Sequence, residues 1–339
     1  MNIYGITLEE LENFFISRND KKFKATQVFD WIYKKDIKSF DDMRNVSKET
    51  INTMKENFVL ENLQIVDIKI DKDVSKYLFE LSDGNHVEAV LMYHDYGTSI
   101  CISTQVGCNM GCKFCESGRL KKVRNLETYE MVNQILMVSR DIGEKISHIV
   151  LMGIGEPFDN YDNVIKFIDI VNTGKGMDIG SRHITVSTCG IVPKIKEFTN
   201  YPKQVNLAIS LHAPNNELRS SIMNINKAYK IEEVMSAVKD YIAKTNRRVT
   251  FEYIMLKDVN DTIECAEELS KLLRGLNCYV NLIPYNETSH IEYKRSSEEA
   301  IMKFYDILKK NNIGVTIRRE FGSKVNAACG QLRSHWEES

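Results

Sequence analysis

The 339-residue sequence predicts an α/β protein: a partial (βα)6-type barrel with a small helical N-terminal unit and a short β extension. Three observations predict it. Apolar residues recur at helical spacing over residues 1–60, alternate with period two from 62 to 93, and from 98 onward form apolar strands separated by amphipathic helices. Repeated strand–helix units require a parallel sheet, and six of them suit a closed or partial barrel.

In the N-terminal unit, Thr7 and Glu10 fit a capping box, and Leu8, Leu11 and Phe15 follow at helical spacing. A second helix places Phe23, Val28, Phe29, Ile32 and Tyr33 mostly on one side, and a third starts near Ser47. In the extension, over 61–97, Tyr77, Phe79 and Leu81 alternate, as do Val87, Ala89 and Leu91, with Asp83-Gly84 as the turn between them. Over 98–339, strands are expected near 98–104, 147–152, 182–188, 204–211, 248–255, 278–284 and 313–319. Helices are expected at 126–141, 161–173, 231–244, 261–274 and 296–311.

A formal charge of -2 neither favours nor excludes nucleic acid, because a local patch can grip phosphates on a neutral protein. The start Met1-Asn2-Ile3-Tyr4-Gly5 lacks a charged stretch followed by an apolar one, and no run is long enough to span a bilayer. The expectation is a soluble, cytoplasmic protein. In that setting the eight cysteines point to metal or catalytic use rather than a disulfide framework.

Cys108, Cys112 and Cys115 are the most informative of them. Three thiols at C-x3-C-x2-C spacing can hold three corners of a [4Fe–4S] cube and leave one iron open for a ligand, unlike a closed structural site. The competing reading is a zinc-binding RNA module without catalysis, but the triplet has no nearby fourth ligand. The loop leaves the C-terminal end of the first barrel strand, where barrel active sites are built. Gly153-Ile154-Gly155-Glu156-Pro157, Ser187-Thr188-Cys189-Gly190, Ser210-Leu211-His212 and Pro284-Tyr285-Asn286 end later strands. One polar residue at a strand end is usually a cap. Four such clusters beside a three-cysteine loop suggest a common mouth, with glycines admitting a ligand to the backbone and Glu156 accepting from an amine. Cys189, Cys265 and Cys278 read as inert buried thiols. Arg119, Lys121, Lys122 and Arg124 read as a phosphate-contacting run, with Arg247-Arg248 and Arg318-Arg319 as further pairs.

On these motifs, together with Cys101-Ile102-Ser103-Thr104-Gln105-Val106-Gly107-Cys108, Ser210-Leu211-His212-Ala213-Pro214-Asn215 and Ala327-Ala328-Cys329-Gly330-Gln331-Leu332, the chain resembles the RlmN/Cfr family of radical S-adenosylmethionine (SAM) RNA methyltransferases. The resemblance runs over essentially the whole chain. It implies a [4Fe–4S] cluster on Cys108, Cys112 and Cys115, and a SAM site of Gly155, Glu156, Ser187, Ser210, Leu211, His212 and Asn286. It also implies an S-methylated Cys329, a resolving Cys101 that forms a transient disulfide with it, and Glu88 as proton acceptor. Read from its residues alone, Glu88 is an ordinary strand acid.

The same resemblance implies that one SAM methylates Cys329 and a second is cleaved reductively, giving a radical that activates the S-methyl group for addition to adenine. Cys101 and Cys329 must then come within disulfide reach, which closing the barrel would allow. Pro157 and Ile283-Pro284-Tyr285-Asn286 resemble the RlmN branch, which makes 2-methyladenosine at adenosine 2503 of 23S rRNA and adenosine 37 of a subset of tRNAs. The alternative is the Cfr branch, which methylates carbon 8 of the same rRNA base. Implied partners are these RNAs and an electron donor such as flavodoxin or ferredoxin, with the protein expected to be a monomer. Glu116 and Ser323-Lys324-Val325-Asn326 depart from the family pattern. A carboxylate beside the third cysteine would lower the cluster potential.

Overall fold

The computed structural model describes residues 1–35, 37–288 and 290–318. Three helices open the chain: α1 (Leu8–Ile16), α2 (Phe23–Lys34) and α3 (Lys48–Asn57). Thr7 and Glu10 form the expected capping box, Thr7 accepting from the Glu10 N–H at 3.1 Å and donating its own N–H to Glu10 at 2.8 Å. Ser47 caps α3 through the Thr50 N–H. Ala25, Val28, Phe29 and Ile32 of α2 are buried. Phe23 is exposed, contrary to the periodicity, because it occupies the first position of its helix where no neighbouring turn covers it.

Strands β1 (Gln64–Asp71), β2 (Val74–Glu80) and β3 (His86–His94) form an antiparallel meander, with the Leu81–Asn85 turn placing Gly84 at φ 78°. Next come β4 (Gly97–Cys101), a two-residue ribbon of β5 (Gln105–Val106) and β6 (Arg124–Asn125), and α4 (Thr128–Ile142). The alternation continues through β7 (His148–Leu151), α5 (Tyr161–Asn172), β8 (Ile184–Thr188), α6 (Val192–Phe198), β9 (Asn206–Ser210), α7 (Asn216–Ile222) and α8 (Ile231–Thr245). It ends with β10 (Val249–Met255), α9 (Ile263–Leu273), β11 (Cys278–Pro284), α10 (Glu298–Lys310) and β12 (Gly314–Ile317).

All the long strands join one ten-stranded sheet in the order β1-β2-β3-β4-β7-β8-β9-β10-β11-β12. β4 is its pivot. A tight hairpin at Asp95-Tyr96 forces it antiparallel to β3, whereas the long crossover through α4 lets it run parallel to β7. From β4 onward every pairing in the sheet is parallel, giving the expected barrel of strand–helix units with its seven strands at the places the sequence indicated. Ile149, Val186, Leu207, Ile209, Phe251, Val280 and Leu282 face outward and are fully buried under the helices. The helical segment shares this core. Arg140 of α4 donates to Asn62 at 2.9 Å and to the Tyr4 hydroxyl at 3.3 Å, and Lys166 of α5 pairs with Glu10 at 2.8 Å.

Two further features depart from the sequence reading. Helices α6 and α7 were not foreseen, since seven residues give less than two full periods of pattern. The period-two strands β2 and β3 are buried on both faces: Tyr77, Phe79, Val87, Ala89 and Leu91 lie in the main core, and Lys76, Glu88 and Val90 on the opposite face are buried too.

Candidate radical SAM site

The loop after β4 places Cys108, Cys112 and Cys115 along one wall of a pocket of about 150 Å³. Backbone contacts hold the loop from three sides. Cys108 N–H donates to Leu120 O at 3.1 Å, Lys113 N–H to Ile222 O at 3.0 Å, and Cys115 N–H to Cys112 O at 3.2 Å. Glycine is obligatory at two points. Gly107 sits at φ 72° with an added Cβ falling 2.2 Å from Lys121 O, and a Cβ on Gly118 would meet Cys112 O at 2.7 Å.

Burial pushes the Cys108 thiol up to about 12 and the Cys112 thiol well above its ordinary value, with neighbouring thiols adding to the shift. Reluctant thiols such as those of Cys108 and Cys112 are poor nucleophiles but suit a metal that takes their protons. Among the described residues no three His, Cys, Asp or Glu side chains converge on a single ion. A cube, by contrast, spreads three thiolates over three separate irons. The donor set fits a [4Fe–4S] cluster.

Opposite the cysteines stands Glu156, buried, its two oxygens accepting from the Phe158 N–H at 3.0 Å and the Cys189 N–H at 2.8 Å. Burial raises its pKa, and the backbone donors oppose that rise. The glycines before it serve a purpose beyond admitting a ligand. A Cβ on Gly153 would strike Ile102 O at 2.5 Å, and one on Gly155, at φ 106°, would strike Gln105 at 2.6 Å. They let β7 close against the root of the cysteine loop.

Ser187 and Ser210 end β8 and β9 with their hydroxyls 3.4 Å apart, and both line the pocket. His212 adopts φ 59°, its Nδ1 accepts from the Ile254 N–H at 3.0 Å, and its ring meets Phe114 edge-on at 4.9 Å. Burial, reinforced by Arg219, holds its pKa down to about 3, so the ring is neutral with Nε2–H as donor.

Other expected site residues lie elsewhere. The Leu211 side chain is fully buried, and its backbone ties to Glu252 and Arg219. Asn286 follows β11, half-buried, outside the pocket lining. Cys101 ends β4 opposite Val90 and packs with Ile154 and Met152 on the barrel's inner face. Glu88 is completely buried in an ion pair with Lys76 at 2.9 Å, not an ordinary strand acid. Cys329, the Ser323–Asn326 stretch and Arg319 lie outside the described residues.

The cation run is largely committed. Arg119 pairs with Glu116 at 2.9 Å, Lys122 with Asp159 at 2.8 Å, and Arg124 with Asp83 at 2.6 Å and with both Glu130 oxygens at 2.7 and 2.8 Å. Only Lys121 has no such partner among the described residues. The same geometry answers the concern over Glu116, whose charge beside Cys115 is offset by Arg119. Cys265 and Cys278 are half-buried rather than inside, and Cys189 is buried but lines the pocket.

Sequence reasoning missed two residues of weight. Glu252 is a buried acid in the middle of apolar β10, accepting from Asn281 at 2.8 Å, and an acid within such a strand was a usable signal. Arg219, fully buried on α7, had none.

Comparison with known proteins agrees with this geometry. A family model described as the radical SAM superfamily matches residues 102–273, and one described as the ribosomal RNA large subunit methyltransferase N-terminal domain matches residues 1–60. The chain is 56% identical to an Enterococcus faecalis protein over 98% of this chain and 96% of that one, and 55% identical to a Spiroplasma citri protein over 98% and 97%. Both are named probable dual-specificity RNA methyltransferase RlmN. The crystal structure of a radical SAM methyltransferase from Sphaerobacter thermophilus superposes with a TM-score of 0.92 at 41% identity, over 98% of this chain and 99% of that one.

Proposed function

The chain belongs to the RlmN family of radical SAM RNA methyltransferases, and on that premise we propose that it methylates carbon 2 of adenosine 2503 in 23S rRNA and of adenosine 37 in a subset of tRNAs. The observation that carries the reading is a single pocket in which three thiols face Glu156, Ser187, Ser210 and His212. The thiols of Cys108, Cys112 and Cys115 hold the [4Fe–4S] cluster. When bound, that cluster supplies the electron that cleaves SAM.

The remaining residues orient the substrates. The Glu156 carboxylate, with two backbone donors already fixed on it, keeps acceptor capacity for the SAM ammonium. Neutral His212 offers one N–H, and the Ser187 and Ser210 hydroxyls offer hydrogen bonds at the floor. Phe114 and Ile254 supply apolar wall and exclude water.

Adenine carbon 2 is electron-poor and cannot attack a sulfonium methyl as an amine nitrogen does. A covalent relay through a cysteine sulfur splits that step into easier ones. In this reading Cys329 carries the methyl carbon, and Glu88 or Cys101 accepts the ring proton. Release of the carbon from Cys329 sulfur forms the Cys101–Cys329 disulfide, which a thiol reductant reopens before the next turnover. Support for Cys101 in this role is its position on the inner barrel face at the root of the cluster loop.

The test is nucleoside mass spectrometry of rRNA and tRNA treated with the anaerobically prepared enzyme, SAM and a reductant. The expected product is 2-methyladenosine. Exclusive formation of 8-methyladenosine would replace the carbon-2 assignment, and an unmodified product would remove the reading.

A further inference from the structure

Below the cysteine loop the described residues leave a space inside the barrel. In a closed eight-stranded barrel, bulky branched side chains fill this space in layers. Here the inward positions on the strands include the short polar Ser99, Thr185, Asn206, Thr250, Asn281 and Thr316, alongside the apolar Val150 and Met152. They leave a cavity of about 530 Å³. It shares Met152, Glu252 and Arg318 with the pocket faced by the cysteines, so the two spaces adjoin.

Four rings stand at the outer mouth of this cavity. His94 and Tyr96, on the β3–β4 hairpin, stack at 4.6 Å with 7° between planes. His148 and His183 stack at 4.3 Å and 20°, and Tyr96 meets His148 edge-on at 5.3 Å. Hydrogen bonds fix the imidazoles: His94 Nε2 lies 2.7 Å from the Ser99 hydroxyl, and His183 Nδ1 lies 3.2 Å from Ser147 O. Tyr96 is thus backed by a fixed ring while remaining 67% exposed. Arg182, exposed on the rim of the same cavity, donates to the neutral Gln204 side chain at 2.8 Å.

An exposed tyrosine alone would mean nothing. A rigidly backed ring and an exposed cation at the mouth of a cavity that adjoins the reaction pocket match the way proteins hold unpaired nucleotides, by stacking bases and gripping phosphates. We propose that the target nucleotide enters the barrel at this N-terminal mouth while an unpaired base adjacent to it stacks on Tyr96, with Arg182 facing the intervening phosphate. The inference rests on the functional reading above, since it takes RNA as the substrate. A base that leaves its stack to enter an enzyme exposes its neighbour, and a stacking platform at the entrance recovers part of the lost energy.

The experiment uses the full-length, cluster-loaded enzyme and an RNA hairpin carrying the target adenosine, with 2-aminopurine placed on one side of it or the other. In the parent protein, binding should quench 2-aminopurine at one of the two positions. Tyr96→Ala should lose that quench and raise KM for RNA about tenfold, the loss expected for one base–aromatic stack, with kcat within about twofold of the parent. Tyr96→Phe, which keeps the ring, should restore both. Parent-like KM and quench in Tyr96→Ala would overturn the inference, as would failure of Tyr96→Phe to restore them. In either case methylation by the parent would leave the functional reading standing. A parent enzyme that methylated no RNA would remove both.

Discussion

The Arg219 guanidinium donates to the carbonyl oxygen of Cys189 at 2.6 Å, linking a helix that braces the cluster loop to the end of a central barrel strand. The same side chain reaches Leu211 O at 3.2 Å, Ser210 O at 3.3 Å and the Asn226 amide oxygen at 3.1 Å. It is completely buried, and no carboxylate pairs with it among the described residues. One turn on, Ile222 O accepts the Lys113 N–H from the cysteine loop. A buried cation without a carboxylate sits most favourably beside an anionic neighbour, which a cluster held by the proposed thiolates would provide.

Arg219→Met should therefore weaken both fold and cluster. Four hydrogen bonds from a charged donor vanish and leave three strand- and loop-end carbonyls unpaired, so a loss of about 3 kcal/mol is expected. Anaerobic urea unfolding and iron per chain measure it. Unchanged unfolding with full iron content would refute the bracing role.

Gly155→Ala should abolish tight SAM binding. The substitution imposes a left-handed backbone on alanine and drives a Cβ to 2.6 Å from Gln105. Gly84→Ala is the control: its φ is 78°, but nothing lies within 4 Å of the added methyl. It should cost about 1 kcal/mol and leave SAM affinity intact. Equilibrium dialysis with labelled SAM compares the two, and equal affinities would contradict the account of the Gly155 turn.

Lys76 and Glu88 allow structure and catalysis to be separated. Removing either member of this buried pair, as in Lys76→Met or Glu88→Gln, should destabilise the protein by about 3–5 kcal/mol. The double variant Lys76→Met/Glu88→Leu should recover part of that loss. If Glu88 accepts the ring proton, the stabilised double variant still forms no methylated RNA. Methylation at the parent rate by the double variant would leave Glu88 with a purely structural role.

Cys112→Ala should lose the cluster, whereas Cys189→Ala should keep it, although both thiols line the same pocket. Cys189 hangs from a strand end whose N–H is already committed to Glu156. Iron content and visible absorbance of anaerobically purified protein decide the matter. Iron loss in Cys189→Ala would mean that a fourth thiol seals the cluster.

Lys121→Ala and Arg124→Ala should separate RNA contact from scaffolding. Arg124 clamps Glu130 and Asp83, so its removal should lower stability by about 1–3 kcal/mol. Lys121 is exposed, and its removal should spare stability while reducing the salt dependence of RNA binding by about one counterion. A salt slope that shifts for Arg124→Ala and not for Lys121→Ala would invert the assignment.

The sequence by itself determined what depends on near neighbours in the chain. The C-x3-C-x2-C loop, the capping box at Thr7, the turn at Gly84 and the strand–helix rhythm each rest on a few consecutive residues, and the structure forms all of them. Tertiary structure alone decided which polar groups meet. Glu88 found Lys76 across two strands, Arg124 found Asp83 from the preceding meander, and Arg219 gathered carbonyls from two strand ends. Periodicity also could not show the cavity that the described residues leave in the lower barrel, since short polar residues on six strands look alike whether solvent, protein or substrate faces them. Burial and charge pairing are sums over the whole surrounding volume, and only the folded chain fixes what that volume contains.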